Sequence, residues 1–189
     1  ENDHQQSVGG YDWIDATHPE WFQLDTKGQR VEIPDYPGRW LMDLGNPEWQ
    51  DYWIQRTLRD VVDHGWDGAY ADDVITTVRA HDLPPLATYP DDASLQKAVT
   101  SFLARAYPVF QQAGKRFMIN ASETYRYPGL WDRWLDHTDG ILEEHFAGEG
   151  WTWGDDVARE QLAAFQRAAE RGKYAMAMTY GPWDDLQRM

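Results

Sequence analysis

The residues of this chain best suited to chemistry lie in two copies of a short pattern, which opens with Asp-Gly and ends on a carboxylate five residues after the Asp. The first copy occupies residues 67–72 and the second occupies residues 139–144. Side chains alternate between the two faces of a strand, so the glycine and the final carboxylate of each copy share a face. Each copy therefore places a carboxylate, Asp72 or Glu144, at the C-terminal end of a predicted strand. Two carboxylates at neighbouring strand ends are the minimum needed to cleave a glycosidic bond.

The two carboxylates differ in length, and this difference suggests different roles. Asp72 has the shorter side chain and is the candidate nucleophile of a retaining mechanism, whereas Glu144 has the longer reach and is the candidate acid/base. The acid has to keep its proton near neutral pH, which burial and a neighbouring negative charge would promote. Asp73 and Glu143 point to the opposite face by strand alternation. Because strand ends often break this alternation, both remain alternative catalytic residues.

The elements that must position these residues alternate along the chain. Five apolar runs predict strands that end near positions 43, 72, 120, 144 and 180. Amphipathic helices are predicted over residues 46–64, 92–112, 128–137 and 155–171. The first of these helices has Asn46 as its N-cap and Pro47 at its first helical position. Strictly alternating strands and helices indicate a parallel sheet with right-handed crossovers.

The spacing of the strand ends predicts the fold class, which is α/β. Successive ends lie 24 to 48 residues apart, and a (β/α)8 TIM barrel of ~250 residues has ~31 residues per unit. We therefore expect a single catalytic domain over residues 1–189, an incomplete TIM barrel with about five β/α units. The first ~35 residues are expected to be a long loop. An open doubly wound sheet is the alternative, although the glycine-rich phosphate loop that often marks one is absent from the sequence.

In either architecture, the carboxyl ends of the strands form the functional edge. Polar and aromatic residues at these ends and in the loops are therefore candidates for binding substrate. The chain has eleven Trp, a residue that combines an apolar face with a hydrogen-bond donor and so suits the mixed surface of a sugar ring. The candidate substrate-binding residues are Asp43, Tyr70, Asn120, His145, Tyr180, Trp13, Trp21, Trp151 and Trp153.

Composition narrows the class of partner. The net charge of −15 argues against binding the phosphate backbone of a nucleic acid and fits a neutral or cationic ligand such as a carbohydrate. No apolar run approaches the ~20 residues of a membrane span, so no membrane partner is expected. Cys is absent, which excludes disulfides and thiolate chemistry. No cofactor and no metal ion is predicted, and the oligomeric state is left open.

Two longer stretches carry a family resemblance. Residues 40–49, Trp-Leu-Met-Asp-Leu-Gly-Asn-Pro-Glu-Trp, and residues 65–74, Gly-Trp-Asp-Gly-Ala-Tyr-Ala-Asp-Asp-Val, resemble the middle of TIM-barrel glycoside hydrolases. They are most similar to glycosyl hydrolase-like family 15 and more distantly to glycoside hydrolase families 66 and 114. In family 66 the Asp-Gly-x-x-x-Asp strand carries the nucleophile, and Asp72 occupies the matching position. The second copy, ending Glu144-His145-Phe146, resembles the strand on which these families place the acid/base Glu.

The resemblance covers most of the chain, and it implies a hydrolase that degrades a polysaccharide or oligosaccharide. We expect an extracellular or cell-envelope location. No signal peptide is visible at Glu1, and a cytoplasmic location is the alternative. Two other functions are consistent with the residues. One is a catalytically inactive barrel that only binds carbohydrate. The other is a metal-dependent hydrolase in which Asp43, Asp72, Asp73 and Glu144 bind Mg²⁺ or Ca²⁺.

Overall fold

The computed structural model describes residues 2–3, 10–121, 123–147 and 156–179. The chain divides into two compact units, a first unit of residues 1–59 and 75–105 and a second unit of residues 60–74 and 106–189. The helices are α1 (Tyr11–Thr17), α2 (Pro47–Asp63), α3 (Asp92–Gln112), α4 (Leu130–Leu135) and α5 (Asp156–Glu170). The strands are β1 (Asn2–Asp3), β2 (Arg39–Trp40), β3 (Gly68–Ala71), β4 (Arg116–Asn120), β5 (Gly140–Glu143) and β6 (Tyr174–Ala177).

The second unit is built on a parallel sheet with strand order β3-β4-β5-β6. Along the chain, α3 lies between β3 and β4, α4 between β4 and β5, and α5 between β5 and β6. This alternation confirms the predicted α/β class. The described residues form four parallel strands rather than five, and the sheet they form is open.

The first predicted strand, over residues 39–43, is not part of this sheet. In the structure β2 pairs antiparallel with β1, and Met42 forms an antiparallel bridge with Phe22. The segment is held within the first unit because Leu41 N–H donates to Val31 O at 2.9 Å, and Leu41 O accepts from Gln23 N at 2.9 Å. Leu41 is buried there with Val31. The run of apolar residues correctly predicted that this segment is extended, but it did not identify the segments with which it pairs.

Residues 10–35, which belong to the stretch predicted as a loop, contain more secondary structure than expected. The expected loop contains the helix α1 and a 3-10 helix at Pro19–Trp21. The N-cap position of α1 is Gly10, which makes no side-chain capping bond. The usual signal for a helix start, a Ser, Thr, Asp or Asn side chain, is therefore missing at this position.

The two faces of the parallel sheet differ sharply. On one face Phe117, Ile119 and Ile141 are fully buried, and the Phe117 ring stacks on Phe110 of α3 at 5.1 Å between centroids. On the other face the edge-strand residues Tyr70, Tyr174 and Met176 are exposed, whereas Asn120 and Leu142 of the central strands are buried. The helices of the second unit thus cover one face, and the face that carries Tyr70 is the one to which Asp72 is assigned by strand alternation.

The glycine of each Asp-Gly pair is required by the close approach of the next strand. A Cβ added to Gly68 would lie 2.3 Å from the backbone oxygen of Arg116, and one added to Gly140 would lie 2.6 Å from the Cβ of Tyr174. Both distances are far below van der Waals contact. The repeated pattern therefore has a packing role at the start of each strand as well as a carboxylate at its end.

The predicted helix ends are confirmed for α2. Asn46 Oδ1 accepts hydrogen bonds from Glu48 N at 3.0 Å and Trp49 N at 3.3 Å, which makes Asn46 the N-cap and Pro47 the first helical residue. After the helix, Gly65 adopts a left-handed φ of 70°, the conformation that ends helices and that glycine adopts without strain. No helix among the described residues is long and apolar enough to cross a membrane.

Candidate active site

A single amide lies between the two carboxylates of the repeated pattern. Asn120, the last residue of β4, donates through Nδ2 to Asp72 Oδ1 at 2.9 Å and to Glu144 Oε2 at 2.7 Å. Asn120 is only 7% exposed. Its orientation follows from chemistry, because the reversed amide would direct its carbonyl oxygen at two acceptor-only carboxylates. Asp72, Asn120 and Glu144 thus come together at the carboxyl ends of three neighbouring strands.

The shared amide fixes how far apart the two carboxylates are. Whatever the angle at the nitrogen, Asp72 Oδ1 and Glu144 Oε2 lie no more than about 5.6 Å apart, which is the total of the two bond lengths. The two N–H bonds of a planar amide diverge by about 120°, so with linear hydrogen bonds these oxygens would lie about 4.9 Å apart. Retaining glycosidases have their two carboxyl groups ~5–5.5 Å apart, and inverting enzymes have them ~6.5–9.5 Å apart.

The turn that follows β3 orients Asp72. Asp73 adopts a left-handed φ of 54°, which is uncommon for a residue with a side chain. Its backbone N–H donates to Asp72 Oδ1 at 3.0 Å, and the next residue, Val74, donates to Asn120 O at 2.8 Å. Strained backbone of this kind persists where the surrounding bonds enforce it, and it concentrates at functional sites. The side chain of Asp73 is half-buried.

Glu143 has a different environment from its neighbour Glu144. It is 1% exposed, and its two carboxylate oxygens accept backbone hydrogen bonds from Glu123 N at 2.8 Å and His145 N at 3.0 Å. Burial raises the pKa of Glu143 above its ordinary value, against the opposing effect of the two N–H donors. Glu143 therefore ties the loop after β4 to the loop after β5.

Two residues of this edge were not predicted from the sequence. Glu123, with a left-handed φ of 63°, offers its N–H to Glu143 and forms an ion pair with Arg126 at 2.7 Å. Gln161 of α5 donates to His145 O at 3.2 Å and accepts from Ala147 N at 3.3 Å, so it holds the loop that carries His145. A sequence signal existed for Gln161, because it lies in the buried stripe of α5, where a polar residue is unusual.

The other predicted substrate-binding residues are distributed over both units. His145 is exposed in the loop after β5, and Tyr70 is 46% exposed on the sheet face of the second unit. In the first unit Trp13 is 44% exposed and Trp21 is 4% exposed. Their roles in binding sugar stay predictions. Trp151, Trp153 and Tyr180 lie outside the described residues.

Asp43 is part of a hydrogen-bonded group within the first unit. The hydroxyl of Tyr89 donates to Asp43 Oδ1, and Gly45 N–H reaches both Asp43 Oδ1 at 3.1 Å and the Tyr89 hydroxyl at 2.6 Å. Burial raises the pKa of Tyr89 far above its ordinary value, and the bond to Asp43 raises it further. This group gives Asp43 a structural role in addition to the predicted contact with substrate.

The position between Asp72 and Glu144 is occupied by a side-chain amide. It is the NH2 group of Asn120, which donates a hydrogen bond to both carboxylates. Among the residues that the structure describes, the strand-end carboxylates form no group of three whose ligand atoms converge. The arrangement instead suits proton transfer and nucleophilic attack by two carboxylates held at a fixed distance.

Comparison with known protein families identifies the family to which the chain belongs. The model of a family described as hypothetical glycosyl hydrolase family 15 matches residues 1–183. The chain therefore belongs to this family of glycosyl hydrolase-like proteins, which confirms the resemblance found in the sequence. No curated protein shows a significant match to the chain.

Proposed function

We propose that this protein is a retaining glycoside hydrolase that cleaves O-glycosidic bonds of a polysaccharide or oligosaccharide, with Asp72 as the nucleophile and Glu144 as the acid/base. The observation that carries the proposal is the Asn120 amide, which donates to both carboxylates. The resulting separation of about 4.9 Å agrees with the ~5–5.5 Å of retaining enzymes and leaves too little room for the water that an inverting enzyme places between its carboxyls.

The proposed reaction has two steps. Asp72 attacks the anomeric carbon while Glu144 gives its proton to the leaving glycosidic oxygen, so the first product departs and a covalent glycosyl ester remains on Asp72. Glu144, now ionised, takes a proton from water, whose oxygen attacks the same carbon and releases the sugar with its original anomeric configuration. Both hydrogen bonds on Asp72 described above fall on Oδ1, and we therefore assign the attack to Oδ2.

The proposal includes a (β/α)8 barrel. Its supports are the parallel order of β3 to β6, the helices between them, and the sheet face on which Tyr70, Tyr174 and Met176 are exposed. In a closed barrel this face would line the interior, and Asp72, Asn120 and Glu144 would lie at its mouth, where barrel enzymes place their active sites.

Two variants test the proposal, each with a matched control. Asp72→Asn and Glu144→Gln remove one catalytic group each with little change in shape, and we expect turnover to fall by at least about 10³-fold. Asp67→Asn and Glu160→Gln make the same chemical changes at exposed positions and should keep full activity. Substrates are found by screening neutral and amino-sugar polysaccharides for release of reducing ends.

The stereochemistry and the nucleophile are measured separately. Proton NMR of the first product formed should show retained anomeric configuration. A 2-deoxy-2-fluoro glycosyl fluoride of the hydrolysed sugar should accumulate as an ester on Asp72, located by peptide mass spectrometry. Normal turnover in both Asp72→Asn and Glu144→Gln would refute the proposed catalytic pair, and an inverted product would refute retention.

A further inference from the structure

Three side chains in the first unit can ligate one metal ion, and none of them belongs to the proposed hydrolytic pair. They are His18, Glu20 and Glu48, and each offers one ligand atom, all within 4.8 Å of one another. His18 is half-buried and the two Glu are exposed. The cluster combines one imidazole nitrogen with two carboxylates, which distinguishes it from a purely acidic surface patch.

Local structure fixes the imidazole before any ligand binds. His18 lies between α1 and the 3-10 helix Pro19–Trp21, and its backbone N–H donates to Ile14 O at 2.7 Å. Its ring stacks on the ring of Trp21 with centroids 3.9 Å apart and planes 8° apart. Because Trp21 is itself buried, it supplies a rigid support for the ring.

The two carboxylates approach from different elements. Glu20 lies in the 3-10 helix and Glu48 in the first turn of α2. The distance from His18 Nδ1 to Glu20 Oε1 is 3.2 Å. Two ligands of a tetrahedral zinc ion with bonds of ~2.0–2.1 Å are separated by about 3.3 Å. His18 and Glu20 therefore already have the spacing of one edge of a zinc coordination sphere.

We propose that His18, Glu20 and Glu48 form a Zn²⁺ site in which water occupies the fourth position. The mixed nitrogen and oxygen ligands favour Zn²⁺ over Mg²⁺ and Ca²⁺, which prefer a larger shell of oxygens. The net charge of −15 also attracts cations to the surface. Without metal, the same His18–Glu20 contact is an ion pair or a neutral hydrogen bond.

The test measures metal binding directly and needs no substrate, so its outcome is independent of the proposed hydrolytic function. Tag-free protein is freed of metal with a chelator and titrated with ZnCl2, MgCl2 and CaCl2 by calorimetry. We expect one equivalent of Zn²⁺ to bind and a rise in the melting temperature, with much weaker binding of Mg²⁺ and Ca²⁺. Substituted Co²⁺ should give the intense visible absorption of a four-coordinate site.

Variants locate the site. Glu20→Gln and Glu48→Gln should each weaken Zn²⁺ binding by at least about tenfold and abolish the Co²⁺ band. Glu160→Gln, an exposed Glu on α5, is the matched control and should bind as the wild type does. Far-UV circular dichroism verifies folding, and the two exposed Glu variants test the site independently of each other. Absence of stoichiometric Zn²⁺ binding, unchanged binding in both variants, or equal affinity for Mg²⁺ would overturn the proposal.

Discussion

Replacing Asn120 with Ala removes the only described side chain that donates to both Asp72 and Glu144. Hydrogen bonds to charged groups are each worth about 1.5–3 kcal/mol. Asp72 is exposed and Glu144 is half-buried, so water replaces much of what is lost, and we expect the free energy of unfolding to fall by only about 1–2 kcal/mol.

The larger effect of Asn120→Ala should be on turnover. Without the shared donor, the two carboxylates repel each other and lose the pair of hydrogen bonds that links them through Asn120. A displacement of about 1 Å in a catalytic group costs about 10²-fold in rate. We therefore expect kcat to fall by about 10²-fold while KM changes little, because in this interpretation Asn120 positions the carboxylates rather than binding the sugar.

Steady-state kinetics on the substrate identified by screening, together with urea unfolding, measures both quantities. Asn46→Ala is the matched control, because loss of the α2 N-cap should cost about 1 kcal/mol of stability without altering the carboxylate pair. If Asn120→Ala raises KM and keeps kcat, Asn120 contacts the substrate, as its strand-end position first suggested, and the positioning argument is wrong. Equal losses of kcat in both variants would attribute the effect to stability alone.

Three further outcomes follow from contacts described above. Gly140→Ala should lower the free energy of unfolding by about 1–3 kcal/mol, since the new Cβ meets Tyr174 at 2.6 Å and β5 and β6 must separate; a loss within the error of urea unfolding would contradict this. The raised pKa of Glu143 means that the folded state binds more protons than the unfolded state above pH ~4.3. The wild type should therefore lose stability relative to Glu143→Gln as pH rises from that value through the raised pKa, and a constant difference between pH 4 and pH 8 would exclude this linkage. Tyr89→Phe should cost about 1–3 kcal/mol, because Asp43 loses its phenolic donor; calorimetric melting measures it, and an unchanged melting temperature would show that water replaces the hydroxyl.

Elements whose ends carry their own chemical signal could be predicted closely. The helix α3 has the bounds Asp92–Gln112 expected from the sequence, because Pro-rich chain precedes it and Gly114 follows it with a left-handed φ of 67°. The start of α2 is likewise marked by adjacent residues in the sequence, Asn46 and Pro47. By contrast, α1 has no capping side chain, and the partners of β2 are distant in sequence, so neither could be found from local pattern.

The sequence could predict which residues lie at this edge of the sheet, but not how their side chains contact one another. Strand alternation assigned Asp72 and Glu144 to the faces of the glycines in their strands, and the parallel order of the strands brings both ends, with that of Asn120, to one edge. The convergence of two carboxylates on one amide could not be deduced, because it depends on the stagger of β4 against β5, in which Asn120 pairs with Leu142, and on side-chain rotamers. Glu143 shows the same limit, because its backbone partners lie in loops whose left-handed residues give no clear sequence signal.

The Asn120 amide also has a consequence for how this active site can diverge. In the proposed hydrolase the spacing of the two carboxylates is set by a buried residue at the end of β4, whereas a candidate sugar-binding residue, His145, lies in the loop after β5. Loops can therefore change length and composition without altering the gap that decides the stereochemical outcome. If the protein is the proposed retaining hydrolase, specificity and stereochemistry are encoded in separate parts of the chain, and grafting new loops onto this sheet should yield new substrate preferences with retention preserved.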